Sequence, residues 1–212
     1  MSSREATALS EPHPLASKTT FYFAYGSNLY LRQMKKRCTN SKFLGCASLA
    51  NHKWQINERG YANVVPNEGQ SVEGILYEID AADELKLDVN EGIAKKAYTK
   101  QYMLVTLRLA SSALYRRPVS WIVEKGGPDK VHRLQRRGGI DTVYCDARIV
   151  EYALVYVSSD FVDVGQPKPE YVNRINAGIT DAIALGLDPN YVQESIRPFI
   201  PEIDGVDPES QD

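Results

Sequence analysis

The chain has 212 residues, 43% of them apolar and 25% charged, with a formal net charge of −2. That length suits one domain with a real core, and the near-neutral balance argues against nucleic acid or a membrane surface as a partner. No apolar run is long enough to span a bilayer, and the three cysteines, Cys38, Cys46 and Cys145, show neither C-x-x-C nor metal-ligand spacing, so they read as buried thiols in a reducing, cytoplasmic compartment.

Residues 1–20 are rich in Ser, Ala, Glu, Pro and Thr and lack an apolar stretch, which reads as a disordered lead and not a secretory signal. Phe21, Phe23 and Tyr25 recur at every second position, a strand signal. The strand breaks at Gly26 into a helix for which Ser27 and Asn28 are good N-caps. Leu31, Met34 and Cys38 form the helical stripe, and Lys35, Lys36 and Arg37 sit in the last turn, where cations complement the dipole. Short strands are expected at 43–50, 53–57, 61–66 and 72–79. Asp80 then caps a helix whose Ala82, Leu85 and Val89 share a face, and Gly92 terminates it. Residues 98–109, rich in Tyr, Val, Thr and Leu, form a long strand.

Residues 111–148 are dense in Gly and Pro and read as a loop-rich insertion. Strands at 119–123 and 142–144 flank a basic patch containing Arg133, Arg136 and Arg137, for which a solvated loop is the default. Residues 149–157 form a buried strand. Pro167-Lys168-Pro169-Glu170 opens a helix with Tyr171, Val172, Ile175, Ile179 and Ile183 on one stripe, closed by Gly186. A last helix at 189–197 stops at Pro198, and 201–212 is an acidic tail. Most strands precede most helices, so residues 21–200 read as one α+β domain whose mixed sheet curls toward a small barrel with flanking helices.

Chemistry concentrates in Tyr22-Phe23-Ala24-Tyr25-Gly26-Ser27-Asn28. A strand-to-helix turn offers unpaired N–H groups and a partial positive charge to a carboxylate, phosphate or oxyanion. The aromatics suit the walls of a small-molecule pocket. Glu91 stands at the negative end of a helix dipole, which favours a raised pKa and a general-base role, although an exposed turn residue has the same sequence appearance. Tyr98 and Tyr171 each begin an element, where a phenol either packs or hydrogen-bonds a substrate. P-loop, dinucleotide-binding and nucleophile-elbow motifs are absent, and His13, His52 and His132 form no metal pattern. No metal or cofactor is expected.

Taken together, Phe23-Ala24-Tyr25-Gly26-Ser27-Asn28-Leu29, Gly74-Ile75-Leu76-Tyr77, Leu87-Asp88-Val89-Asn90-Glu91-Gly92, Tyr98 and Pro167-Lys168-Pro169-Glu170-Tyr171 resemble the gamma-glutamylcyclotransferases. The resemblance covers roughly 21–109 and 149–199. It implies the gamma-glutamylcyclotransferase-like fold, Glu91 as catalytic acid and base, and a substrate loop at Tyr22, Phe23, Ala24, Tyr25, Gly26 and Ser27, with Tyr98 and Tyr171 in the pocket. The implied reaction turns a γ-glutamyl amino acid or peptide into 5-oxoproline and a free amine, without cofactor. Residues 171–179 and 196–201 are similar to fungal members, some of which act in biosynthesis of gliotoxin-type toxins. Glutathione or a glutathione conjugate is therefore an alternative substrate, and a non-catalytic binding module on the same fold is a second alternative. The insertion at 111–148 departs from compact members and leaves the loops around the pocket open. A homodimer is also left open.

Overall fold

The four short strands expected between residues 43 and 79 merge into two long, bent ones. In the computed structural model of the protein, which describes residues 19–137 and 148–203, β2 runs Lys42–Ile56 and β3 runs Ala62–Ile79. They pair antiparallel along most of their length, with register shifts between Phe43 and Gly45 and between Ala50 and His52. At the second shift Asn51 takes a φ of 57°. Such irregularities bend a strand and increase its twist. They let two strands serve two sections of the sheet, where alternation alone suggested four.

β1 (Thr20–Ala24) lies between β3, antiparallel, and β6 (Arg148–Val157), parallel. β6 pairs antiparallel with β4 (Thr99–Leu109), and β4 with β2. Because β2 also pairs with β3, the order β3-β1-β6-β4-β2 closes on itself as a five-stranded barrel. The short β5 (Arg117–Pro118) extends the β2 edge. The fold is thus the expected α+β arrangement of a curled mixed sheet and flanking helices. β1 is buried on both faces, with Phe23 and Ala24 almost fully enclosed. The interior of the barrel covers one face, and helices and loops cover the other.

The helices depart from the sequence reading in instructive ways. A 3₁₀ turn at Ser27–Leu29 precedes α1 (Leu31–Arg37), so the α-helix proper begins at Leu31 and neither Ser27 nor Asn28 caps it. The Leu31 N–H instead donates to Asp181 Oδ2 of a distant helix at 2.9 Å. Leu31 and Met34 are buried as expected, each contributing roughly 1.5–3 kcal/mol. α2 (Ala81–Asn90) is capped by Asp80, which accepts the Asp83 N–H at 2.8 Å. The buried face of α2, however, is Asp83 and Leu87, while Leu85 and Val89 are exposed. Asp83 accepts the Asn40 N–H at 3.0 Å, and that bond turns the helix away from its most apolar stripe.

Beyond β5, most of the described part of the insertion is helical: α3 spans Val119–Glu124 and α4 spans Pro128–Arg137. The expected strand at 119–123 is overturned. Val119 and Ile122, three apart, are both buried, and α3 packs on α1; tertiary burial outweighs the β-propensity of Val and Ile. α5 (Pro169–Ala184) buries Tyr171, Val172, Ile175 and Ile179, but Gly178 and Ala182 complete the interior face and Ile183 is 38% exposed. A short α6 (Pro189–Tyr191) runs into a π-helical turn at Val192–Ile196. The strand expected at 142–144, Cys145, residues 1–18 of the lead and residues 204–212 of the tail lie outside the described residues. Cys38 and Cys46 are buried, free thiols. Burial pushes Cys38 well up and Cys46 to about 11, so both stay protonated and inert. Among the described residues no helix is long and apolar enough to cross a membrane.

Candidate active site

The end of β1, the turn after it, the end of α2 and the start of α5 converge on one cleft of about 550 Å³. Three local devices place them there. Gly92 takes a left-handed φ of 67° immediately after α2, which turns the chain sharply and leaves Glu91 at the helix end. α5 presses against the 3₁₀ turn at Gly178, where a Cβ would stand 3.0 Å from both Leu29 Cβ and Tyr30 N. Gly26 keeps the cleft open: its Cβ would meet Tyr171 Oη at 3.0 Å and Ala62 Cβ at 3.3 Å.

Of the residues expected at the site, Tyr22, Phe23, Tyr25, Gly26, Ser27, Asn28, Glu91, Tyr98 and Tyr171 all line this cleft. Ala24 does not. It is buried in the sheet, paired with Ile75 of β3.

Asn28 links the two halves of the site. Its Nδ2 donates to Tyr22 Oη at 2.7 Å and to Glu91 Oε1 at 3.3 Å. Its Oδ1 accepts from Gln33 Nε2 at 3.0 Å and from Arg37 Nη1 at 2.9 Å. This residue, expected to cap a helix, instead spends its whole amide on side chains in and behind the cleft. Arg37, expected to sit against the helix dipole, reaches to 3.7 Å from Glu91 Oε1. Gln33 also donates to Ser27 Oγ at 2.9 Å and accepts from Arg174 Nη1 at 3.3 Å. Ser27 is thereby held as a hydrogen-bond acceptor, with no base within the bonds it makes here.

The phenols form a second layer. Tyr98 Oη donates to the Ala62 carbonyl at 2.7 Å, and the Ala62 N–H donates to Tyr171 Oη at 3.3 Å. Tyr171 therefore accepts from the backbone, and among the described residues its own proton meets no acceptor. Arg174 stacks on Tyr171, 5.3 Å from ring centre to guanidinium carbon. Tyr156 Oη donates to Asp88 Oδ1 at 2.7 Å, and its ring meets Tyr22 edge-on at 5.8 Å. Burial raises Tyr22, Tyr25, Tyr98 and Tyr171, so all four are neutral hydrogen-bonding groups at physiological pH.

Glu91 has a side chain only 17% exposed. Burial raises its carboxyl above the ordinary range; Arg37, the Asn28 hydrogen bond and the more distant Arg174 each pull it back. The first cause is desolvation by burial. A carboxylate held this way can take a proton from a nearby amine and return it. Among the described residues no group of three His, Cys, Asp or Glu side chains is placed to hold a metal ion.

Sequence reasoning missed Gln33, Arg37, Arg59, Tyr156 and Arg174. Their positions in the chain carry no motif. Arg37, Arg59, Tyr156 and Arg174 enter the cleft through the way α1, the β2–β3 turn, β6 and α5 pack, and Gln33 stands behind it, bonded to Ser27, Asn28 and Arg174. None of the described residues from 111 to 137 lines the cleft, so the described part of the insertion sits elsewhere on the molecule.

Comparison with known proteins bears on the fold and the family. A structure named gamma-glutamyl cyclotransferase superposes with a TM-score of 0.59 at 18% identity, covering 90% of this chain and 92% of its own. A human protein designated loc79017 gives 0.57 at 19%, covering 89% and 92%. YkqA from Bacillus subtilis gives 0.56 at 17%, covering 84% of this chain and 53% of its own. At these identities the likeness is one of fold. No curated protein sequence matches the chain. The sequence model of one family, described as gamma-glutamyl cyclotransferase, AIG2-like, matches residues 22–133, a span that holds the Gly26 turn, Glu91 and Tyr98. The chain belongs to the gamma-glutamyl cyclotransferase, AIG2-like family.

Proposed function

We propose that the protein is a gamma-glutamylcyclotransferase that releases 5-oxoproline and a free amine from a γ-glutamyl amino acid or peptide. One observation carries this reading: the Glu91 carboxylate and the Gly26–Asn28 turn face the same cleft, joined by the 3.3 Å contact between Asn28 Nδ2 and Glu91 Oε1.

In the proposed reaction the substrate's α-ammonium group gives a proton to Glu91. The freed nitrogen attacks the γ-carbonyl carbon, forming the ring bond. The ring nitrogen then gives up a second proton, the γ-amide C–N bond breaks, and both protons end on the departing nitrogen, which leaves as an ammonium group. No oxidant, water or external nucleophile enters the balance. Because both reacting groups belong to one molecule, the protein's main task is to hold the glutamyl chain in a ring-closing shape, and orientation can supply roughly 7–11 kcal/mol. The backbone amides of the turn and the free proton of Tyr171 are suited to the carboxylate or the developing oxyanion. Tyr98, tied to Ala62, positions that part of the wall.

The test is 5-oxoproline formation from γ-glutamyl-alanine, glutathione and a glutathione S-conjugate, each quantified by chromatography. Turnover of at least one is expected, and their ranking names the substrate. Binding of these compounds without 5-oxoproline from any of them would point to a binding module and reject the reaction.

A further inference from the structure

Four cations line the cleft, Arg37, Arg59, Lys95 and Arg174, and they are not equivalent. Arg37 and Arg174 have acceptors: Arg37 is bound to Asn28 Oδ1, and Arg174 to Gln33 Oε1 and Glu170 Oε2. Lys95 is exposed. Arg59 is different. Among the described residues no carboxylate lies within ion-pair distance of it, and its Nη1 is buried with no hydrogen-bond acceptor. A buried guanidinium nitrogen without an acceptor is costly, and sites that leave one are sites where something else supplies it.

Arg59 is also held in advance. It sits on the turn joining β2 to β3, where Asn57 Oδ1 accepts the N–H groups of Arg59 at 3.1 Å and Tyr61 at 3.3 Å. Its guanidinium stacks on the Phe161 ring at 4.8 Å. The segment following Phe161 is tied to the same turn, because Gly165 N–H donates to the Ile56 carbonyl and Lys168 N–H to the Gly60 carbonyl. A flexible side chain has thus been stiffened at the cleft while, among the described residues, its Nη1 is given no hydrogen-bond acceptor.

Its place in the cleft decides what it would bind. Arg37 stands 3.7 Å from Glu91 Oε1 and Arg174 joins the same network through Gln33, whereas Arg59 sits on the turn that leads into Ala62, whose carbonyl accepts the Tyr98 Oη proton at 2.7 Å. If Glu91 receives the substrate's amine proton, the α-carboxylate, bonded to the same carbon as that amine, lies at the Arg37–Arg174 end. The atoms beyond the γ-amide bond then extend toward Tyr98. We infer that Arg59 is a specificity-determining residue that binds a carboxylate on the leaving group, so that the substrate class is a γ-glutamyl amino acid and not a γ-glutamyl amine. This inference rests on the proposed reaction. A planar guanidinium suits a carboxylate through paired hydrogen bonds, which a Lys at the same position would not reproduce.

The experiment compares γ-glutamyl-alanine with γ-glutamyl-ethylamide, which lacks only the leaving-group carboxylate, in wild type, Arg59→Gln and Arg59→Lys. Wild type should prefer γ-glutamyl-alanine by about tenfold or more in kcat/KM, the factor that follows from one charged hydrogen bond. Arg59→Gln should erase most of that preference through KM, and Arg59→Lys should restore part of it. An equal fall for both substrates, or an unchanged preference, overturns the assignment. Calorimetric binding of γ-glutamyl-alanine separates this failure from that of the reaction. If wild type forms no 5-oxoproline, the reaction is wrong. Undiminished binding by Arg59→Gln rejects the carboxylate site whether or not turnover occurs. Thermal melting monitors folding, and Arg59→Lys, which keeps the charge and the stem, serves if the glutamine variant does not fold.

Discussion

Replacing Glu91 with glutamine separates its chemical role from its structural one. The substitution keeps the side chain's size and leaves an oxygen to accept from Asn28 Nδ2, but it removes the proton acceptor. General acid–base groups contribute roughly 10²–10⁴-fold, or about 3–5 kcal/mol at 1.36 kcal/mol per decade. The turn, Tyr98 and Tyr171 remain in place, so orientation is retained and kcat should fall by that factor without reaching the uncatalysed rate. Stability should move the other way. Burial raises the carboxyl's pKa in the folded protein, so the folded state binds its proton more tightly than the unfolded chain does. The stability from this group is fully present below the unfolded pKa and is lost as pH rises through the folded one. Glutamine carries no such penalty. The variant should therefore melt at or above the wild-type temperature at pH 8, and the two should converge toward pH 4. The assay is 5-oxoproline release from γ-glutamyl-alanine, with melting followed by circular dichroism across that pH range. A kcat within about threefold of wild type would refute Glu91 as the base. A variant that melts well below wild type at pH 8 would instead make Glu91 a structural partner of Arg37 and Asn28.

Three further outcomes follow from named contacts. Arg37→Gln removes a cation that lowers the Glu91 pKa, so the acid limb of the kcat/KM profile should move to higher pH; a limb that stays put rejects Glu91 as its origin. Gly26→Val should lower kcat/KM by at least about tenfold with a smaller loss of stability, because its φ of −122° is open to any residue while its Cβ crowds Tyr171 Oη. In the milder Gly26→Ala, adding Tyr171→Phe should relieve the crowding and recover melting temperature, and no recovery would place the clash elsewhere. Asp181→Asn keeps an oxygen for the Leu31 N–H but removes a carboxyl that burial pushes up to about 6. Being raised, that group costs stability as pH climbs from the ordinary value of about 4 to about 6. The variant should thus be more stable than wild type by roughly 3 kcal/mol above pH 7 and equal to it below pH 4; denaturant melts at both pH values measure this.

Elements with a local signature were legible in the sequence. The alternation of Phe21, Phe23 and Tyr25 marked β1, Asp80 and Gly92 bounded α2, and Pro169 and Gly186 bounded α5. Elements whose identity depends on burial were not. Val119 to Val123 has strand-like residues but forms helix because Val119 and Ile122 share a buried face. The stripe of Ala82, Leu85 and Val89 is the more apolar face of α2, yet Asp83 anchors the opposite side inward through Asn40. Local patterns count hydrophobicity, whereas one buried hydrogen bond between distant segments can rotate a whole helix.

The site divides in the same way. The turn at Gly26, the acid at Glu91 and the phenols at Tyr98 and Tyr171 stand out in the chain itself, because a tight turn needs a particular residue at a particular place. That alone pointed to a cleft chemistry and to the family. Tertiary structure decided how these parts are joined. Asn28 became a side-chain bridge instead of a cap, because the helix it precedes is capped from α5 by Asp181 and its amide is left free to span Tyr22, Arg37 and Glu91. Arg37, Arg174 and Arg59 differ because the packing of α1, α5 and the β2–β3 turn gives the first two acceptors, while among the described residues Nη1 of the third has none. Sequence specifies which groups a site has; the net field at Glu91 and the unpaired Nη1 of Arg59 are sums over neighbours that no local stretch contains.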